Sequence, residues 1–351
     1  MKAAVLLNGA LAIEDVTEPV PMAGQVLVAP LACGVCGSDL HARDHTLHLC
    51  DLLHRAGFDG FMDPDRPVVM GHEFCGALLD PAAGLPRGQR VVAQPFLVDE
   101  NGLVLIGYSN RYNGAFAERM LLQSDALLAV PDGVETDVAA MTEPLAVAVH
   151  AVNQSGADKD CAFAVYGCGP VGLFIIARLR ALGWGPILAI DPVPARRAMA
   201  ERMGANHVIA PDGGESAAWW KGLSLHIGLS DTMAAAGRAG KRAVLFECVG
   251  KPGMLTAIAE AAPVAATITV AGVCMATDAI EPALLIQKSL QLRFVFAYSP
   301  EEFAEAFAMI CANPAALAPL ITGETNLDTI DRAFAALTAG GDQVKMMVKP
   351  T

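Results

Sequence analysis

Three short segments carry side chains suited to holding a metal ion. Ala32-Cys33-Gly34-Val35-Cys36-Gly37-Ser38-Asp39-Leu40-His41 closes an apolar run, Gly71-His72-Glu73 follows at a distance, and Glu143 stands in Met141-Thr142-Glu143-Pro144-Leu145-Ala146. A thiolate, an imidazole and a carboxylate drawn from separate stretches suit zinc with one position open for substrate, whereas a structural zinc usually closes with four protein ligands. Zinc has no redox activity; as a Lewis acid it lowers the pKa of an alcohol hydroxyl, which lets hydride leave the carbon. Ser38, two residues beyond Cys36, has a hydroxyl placed to take a proton from a group held at such a site, and His41, three residues further on, is placed to receive it. The plainer readings are a turn cap for Ser38 and a surface histidine for His41.

A hydride needs an acceptor, and Tyr166-Gly167-Cys168-Gly169-Pro170-Val171-Gly172 supplies a place for one. This G-x-G-x-x-G follows an apolar strand-like run and opens a helical stretch, the context that gives the motif meaning. Gly167 permits the tight turn, Gly169 lets backbone approach a pyrophosphate, and Gly172 lets helix and strand pack closely. Pro170 and Val171 lie at the helix N-terminus, which favours an anion, and are expected cofactor contacts. Asp191 ends the next apolar run, where an acid binds the ribose hydroxyls of NAD and repels the 2′-phosphate of NADP; its plainer reading is a helix cap. Arg196 and Arg197 follow and can soften that choice.

The elements that must position these groups read in two textures. Up to about residue 150, short strand-like runs (KAAVLLNG, LAIEDV, GQVLVAPLAC, VVMGHEF, GQRVVAQP) alternate with Pro- and Gly-bearing turns. From Cys161, five-residue apolar runs (AFAVY, ILAI, HVIA, AVLFEC, TITVAG) alternate with helical stretches, the pattern of buried parallel strands in a doubly wound α/β domain. After Leu290 come LRFVFAY, an amphipathic stretch with Phe303, Ala304, Phe307 and Ile310 on one face, and QVKMMVKP, which read as the first module returning. His41, His45 and His48 fall at i, i+4 and i+7 on a single expected helix face, a lid near the pocket in preference to a second metal site. Neither residues 42–66 nor residues 211–241, with Trp219 and Trp220, take a role from pattern alone.

Composition excludes several classes. The 351 residues suffice for about two domains. Lys and Arg number 24 against 37 Asp and Glu, a net charge of −13 without a basic block, so a nucleic-acid partner lacks its electrostatic footprint. The uncharged run between Glu260 and Asp278 is shorter than a membrane span and carries Pro263 and Gly272. The N-terminal residues do not read as a signal peptide, and nine scattered cysteines suit free thiols in a reducing compartment, so the expected location is the cytoplasm.

With G-V-C-G-S-D-L-H, G-H-E-F, G-Q-R-V-V, N-G-A-F-A-E, E-P-L-A-V-A-V-H, G-C-G-P-V-G and G-G-D-Q-V-K in place along nearly its whole length, the chain resembles the zinc-dependent medium-chain dehydrogenase family, nearest its sorbitol, butanediol and threonine dehydrogenase branch. The resemblance implies an α/β fold: a GroES-like β-rich catalytic domain of residues 1–149 and 288–351, and a Rossmann NAD-binding domain of residues 150–287. It implies Cys36 and His72 as zinc ligands, Glu143 where other branches have a cysteine ligand, and Glu73 as an alternating ligand that also serves catalysis. A role for Glu143 in orienting a ligand stays open. Cys33 becomes a packing thiol, and Val249 and Lys345 become cofactor contacts. Homodimers or homotetramers built through the nucleotide domain's sheet edge are implied too.

Departures from the family pattern add expectations. Residues 94–115 lack the four-cysteine lobe of many relatives, so one catalytic zinc per chain and no structural zinc are expected. Gly37 replaces an arginine that faces the pyrophosphate in some relatives, and Lys345 partly compensates. The expected function is zinc-dependent hydride transfer between NAD and a secondary alcohol or diol, with a largely apolar substrate suggested by residues 51–61, 96–108 and 294–298. The alternatives are a sorbitol-like polyol dehydrogenase and a catalytically silent nucleotide-binding protein.

Overall fold

In the computed structural model, which describes residues 1–58, 60–211, 214–234 and 241–350, strand Gln25–Gly34 is the hub of the first half. It pairs antiparallel with Glu73–Leu78, with Met120–Gln123 and with Lys345–Lys349, and the sheet continues through Arg90–Val92 to Leu128–Ala129 on one side and to Ile321–Asn326 on the other. A smaller sheet joins Lys2–Leu7 to Ala10–Asp15 and Val68–Val69. Side chains such as Val28, Phe74, Leu78, Val91, Phe116 and Phe334 fill the core. The cysteine-free stretch at 94–115 forms a hairpin, Phe96–Asp99 against Gly102–Leu105.

The second half holds a six-stranded parallel sheet. Its order is His207–Ile209, Ile187–Ile190, Cys161–Tyr166, Arg242–Glu247, Thr267–Val270 and Gln291–Phe294, the 3-2-1-4-5-6 order of doubly wound nucleotide-binding domains. Cys161–Tyr166 is buried at every position, as expected of a central parallel strand covered on both faces. Helix Pro170–Ala181 is buried continuously from Gly172 to Leu179, so its apolar residues need no polar face.

The chain divides into Met1–Pro144 with Phe303–Thr351, and Leu145–Glu302. The expected boundaries at 149/150 and 287/288 therefore move to 144/145 and 302/303. The reason at the second one is the run LRFVFAY: Gln291–Phe294 pairs in parallel with Thr267–Val270, so it closes the nucleotide unit's sheet instead of returning to the first module. On helix Pro300–Ala312, Phe303, Ala306 and Ile310 are buried while Ala304 is exposed, which shifts the expected apolar face by a fraction of a turn.

The histidine cluster does not share one helix face. His45 leaves the helical region (φ −133°, ψ 32°), separating Gly37–Asp44 from Thr46–Arg55. In the 211–241 stretch, helix Glu215–Gly222 buries Trp220 in the core and sets Trp219 against the His207 ring at 5.7 Å; residues 212, 213 and 235–240 lie outside the described ones. Among the described residues no single helix is long and apolar enough to cross a membrane.

Candidate metal and cofactor sites

Strand register assembles the candidate metal site. Gly34 lies opposite Glu73 and Cys33 opposite Phe74, so the residues just past the end of one strand and just before the start of the other meet. Cys36 caps helix Gly37–Asp44, and the Asp39 carboxylate accepts the Cys36 backbone N–H at 2.9 Å. Among the described residues, Cys36, His72 and Glu73 form a group whose ligand atoms lie within 4.8 Å of one another. A tetrahedral zinc with these donors sets ligand atoms roughly 3.3–3.8 Å apart, so the thiol, imidazole and carboxylate fit the ion after a small closure.

One His72 ring nitrogen faces a buried carboxylate. Asp39, fully buried, places Oδ1 3.3 Å from Nδ1, at ion-pair distance, which leaves Nε2 for a metal. Burial pulls the His72 pKa down, but Asp39 and then Cys36 outweigh it and hold the imidazole well above its ordinary value. Metal binding here competes with that proton.

Glu73 also faces Lys345, whose Nζ lies 2.8 and 2.6 Å from the two carboxylate oxygens and donates to the Val35 carbonyl at 3.3 Å. Burial lowers the lysine's pKa and the Glu73 charge more than reverses it. Gly34 makes the pair possible, because a Cβ there would collide with Glu73 Oε2. Lys345, expected at the cofactor, is thus buried against Glu73. Glu143 opens helix Thr142–Gln154, half-buried and near enough for its charge to act on Tyr108 and Lys345, yet it is outside the Cys36–His72–Glu73 group. Cys33 is fully buried in the core, its thiol pKa pushed up by burial.

Ser38 Oγ lies 3.4 Å from His72 Nε2 and accepts a hydrogen bond from the Tyr108 hydroxyl at 2.8 Å. The Tyr108 ring is stacked on Phe61 at 5.3 Å and tilted against His72 at 5.1 Å. Burial, then the charges of Asp39 and Cys36, push the phenol's pKa well up. His41 is half-buried, with its ring 6.2 Å from that of His45; burial and then His45 lower its pKa. Sequence reasoning assigned no role to Asp39, and it placed Phe61 and Tyr108 only as the ends of two expected pocket-lining segments. Asp39 had a local signal, an acid three residues beyond a helix-capping ligand. The hydrogen bond from Tyr108 to Ser38 had none, because it is made across 70 residues of chain.

In the nucleotide unit, Gly167 (φ +92°) turns the chain, and a Cβ there would meet Val249 Cγ2 at 2.9 Å and the Cys248 backbone at 3.1 Å. A Cβ on Gly172 would strike the Gly167 carbonyl, whereas one on Gly169 meets nothing within 4 Å, the open approach a pyrophosphate needs. Gly169 caps the helix that begins at Pro170, with Val171 in its first turn. Asp191 is buried, and its oxygens accept the N–H groups of Cys168 and Val193, each at 2.8 Å. Arg197 donates to the carbonyls of Asp191 and Pro192 at 2.7 and 2.9 Å, while Arg196 is half-buried on the same helix. Val249 donates to Glu247 Oε1 at 2.7 Å. A cavity of about 340 Å³ lies where Glu247 and Val270 end their strands, bordered also by Gly250, Gly272 and Cys274. That is where an open α/β sheet takes its ligand.

The fold and this donor set define a metal-dependent, nucleotide-linked oxidoreductase. Residues 22–132 match the family model for the alcohol dehydrogenase GroES-like domain, and residues 170–312 match that for the zinc-binding dehydrogenase; the chain belongs to the zinc-dependent medium-chain dehydrogenase family. It is 28% identical to an (R,R)-butanediol dehydrogenase of Bacillus subtilis, with 96% of each chain covered. A sorbitol dehydrogenase of the same organism is 31% identical over 60% of this chain and 61% of that one. The X-ray structure of 2R,3R-butanediol dehydrogenase from Bacillus subtilis aligns with a TM-score of 0.79 at 27% identity, over 100% of this chain and 99% of that one.

Proposed function

We propose that the chain is an alcohol dehydrogenase that moves hydride reversibly between NAD and a secondary alcohol, diol or polyol. The observation that carries this reading is the convergence of Cys36, His72 and Glu73 to within 4.8 Å in a chain that also holds the glycine turn at 167–172. Zinc, when bound, supplies the Lewis acidity that lowers an alcohol's pKa. Cys36 and His72 would hold it, with Glu143 or Glu73 as the carboxylate ligand, and Asp39 aligns His72 for the task. One catalytic ion per chain accords with the absence of a four-cysteine lobe from residues 94–115.

Ser38 takes the alcohol proton, its Oγ being beside the ligating nitrogen of His72. His41 is proposed as the outer end of that relay. Gly167, Gly169, Pro170, Val171, Gly172 and Val249 would shape the dinucleotide site. Asp191 supports NAD over NADP, since a buried carboxylate beside the turn disfavours a 2′-phosphate. The names of the butanediol and sorbitol dehydrogenases favour a substrate with neighbouring hydroxyls, and Phe61 and Tyr108 give the site an aromatic wall. A homodimer or homotetramer is proposed through edge strand Gln291–Phe294, where Phe294 is 70% exposed and Phe296, two residues beyond the strand, is 78% exposed. A cytoplasmic location is proposed because all nine cysteines are free thiols.

The test follows NADH absorbance with a panel of vicinal diols, polyols and simple secondary alcohols, with NADP in parallel, on protein assayed for zinc. About one zinc per chain and NAD-linked turnover lost on chelation are expected. Cofactor binding without turnover in either direction, and without zinc, would instead leave a silent nucleotide-binding protein. Preference for NADP would overturn the role given to Asp191.

A further inference from the structure

The turn that carries Tyr108 is built into the turn that carries His72. Gly71 and Gly107 both adopt left-handed backbone (φ +98° and +87°), and a Cβ on Gly107 would meet the Gly71 backbone at 3.1 Å. A Cβ on Gly71 would in turn meet the Phe116 backbone at 2.8 Å. Only residues without side chains let these segments approach so closely. The Tyr108 ring is then held from two sides, by Phe61 at 5.3 Å and by His72 at 5.1 Å, so little freedom remains for its hydroxyl. That hydroxyl donates to Ser38 Oγ at 2.8 Å, and Ser38 Oγ is 3.4 Å from His72 Nε2.

A serine hydroxyl has one proton to give and two lone pairs to accept with. Tyr108 fills one lone pair. The second stays available for an alcohol O–H, and the serine's own proton must point away from both. We propose that Tyr108 is a positioning residue: its hydroxyl orients Ser38 with one lone pair facing the substrate O–H and eases release of Ser38's own proton as the substrate proton arrives. This rests on the alcohol dehydrogenase reading. The nicotinamide, when bound, would take the hydrogen of the substrate C–H bond with its electron pair, and the C=O bond would form in its place. The alcohol proton passes to Ser38 Oγ, and Ser38's original proton leaves outward along the proposed relay, whose outer end is His41, and from there to solvent. Tyr108 keeps its proton throughout.

The test is a four-protein cycle of wild type, Tyr108→Phe, Ser38→Ala and the double variant, with Ser38→Thr as a further background. Phenylalanine keeps the ring between Phe61 and His72 and removes only the hydroxyl. The expected result for Tyr108→Phe is a fall in kcat of about tenfold, as for loss of a partly buried hydrogen bond at a proton-transfer group, with KM for the alcohol within about twofold. On the Ser38→Ala background the same change has no further effect on kcat, and on Ser38→Thr the fall returns. A Tyr108→Phe enzyme with wild-type kcat, or one whose loss multiplies fully with that of Ser38→Ala, overturns the proposal. If no wild-type turnover is found with any alcohol, both the alcohol dehydrogenase reading and the relay role fail. Melting temperatures of the same four metal-free proteins then separate the causes: overlapping losses keep the Tyr108–Ser38 bond and reject only its chemistry, whereas additive losses reject the bond as well.

Discussion

Lys345 and Glu73 form an ion pair sealed from solvent, each side chain about 1% exposed, with the ammonium 2.6 and 2.8 Å from the two carboxylate oxygens. Removing one partner strands the other charge in the core, which costs about 3–5 kcal/mol, whereas removing both can be nearly neutral. Lys345→Met is therefore expected to destabilise the metal-free protein by that amount in urea titrations. Lys345→Met combined with Glu73→Leu is expected to recover much of the loss. Equal destabilisation by the single and the double variant would sink this account.

Metal affinity separates the two cysteines of the C-x-x-C. Cys36→Ser and His72→Ala are expected to take zinc from about one per chain to near zero, while Cys33→Ala, at a core position outside the ligand group, leaves it unchanged. Asp39→Asn tests the support beneath His72. Losing its carboxylate is expected to weaken zinc binding about 10–100-fold without abolishing it, read by competition with a chromophoric chelator.

Two glycines of the nucleotide turn are expected to behave oppositely. Gly172→Ala puts a methyl group into the Gly167 carbonyl, so a stability loss of about 1–3 kcal/mol is expected in thermal and urea melts. Gly169→Ala meets nothing within 4 Å and should melt like wild type. In the proposed cofactor site its methyl group would occupy the space of the pyrophosphate, so NADH affinity is expected to fall at least tenfold, about 1.4 kcal/mol. Unchanged NADH affinity in a well-folded Gly169→Ala protein would remove the pyrophosphate from that turn.

What could be read from the sequence follows how local the signals are. Cys36, His72, Gly167, Gly169 and Gly172 announce themselves because ligand chemistry and tight turns demand particular residue types. The parallel strands of the nucleotide unit are equally plain, being apolar on both faces. Gln291–Phe294 misleads because an edge strand with exposed Arg293 and Phe294 lacks that signature, so it reads like a strand of the other module. The histidine spacing misleads because helical periodicity assumes an unbroken helix, and His45 breaks it. Tyr108 and Lys345 depend on which distant segments meet: Tyr108 reaches Ser38 across 70 residues, and Lys345 reaches Glu73 across 272. Residue type alone cannot reveal such pairings.

The nucleotide unit carries a pairing of the same long-range kind, at Glu302. Ser299 and Glu302 form a capping box at the start of helix Pro300–Ala312: Ser299 Oγ accepts the Glu302 N–H at 3.2 Å, and Glu302 Oε2 accepts the Ser299 N–H at 2.9 Å. The same carboxylate takes His150 Nδ1 at 2.7 Å and Asn153 Nδ2 at 3.0 Å, tying the cap to helix Thr142–Gln154. Burial raises the Glu302 pKa, but the Ser299 backbone N–H, Asn153 and His150 outweigh it, and the folded value lies below the ordinary one. A depressed carboxylate pKa contributes stability that is complete above the unfolded value of about 4.3 and is lost as pH falls through the folded one. Glu302→Gln is thus expected to cost about 1–2 kcal/mol at neutral pH, with the gap to wild type narrowing below about pH 4 as the wild-type carboxylate protonates. Denaturant titrations of both proteins at several pH values read that gap directly. A difference that stays constant down to the acid limb would mean that the charge of Glu302 contributes nothing beyond its shape.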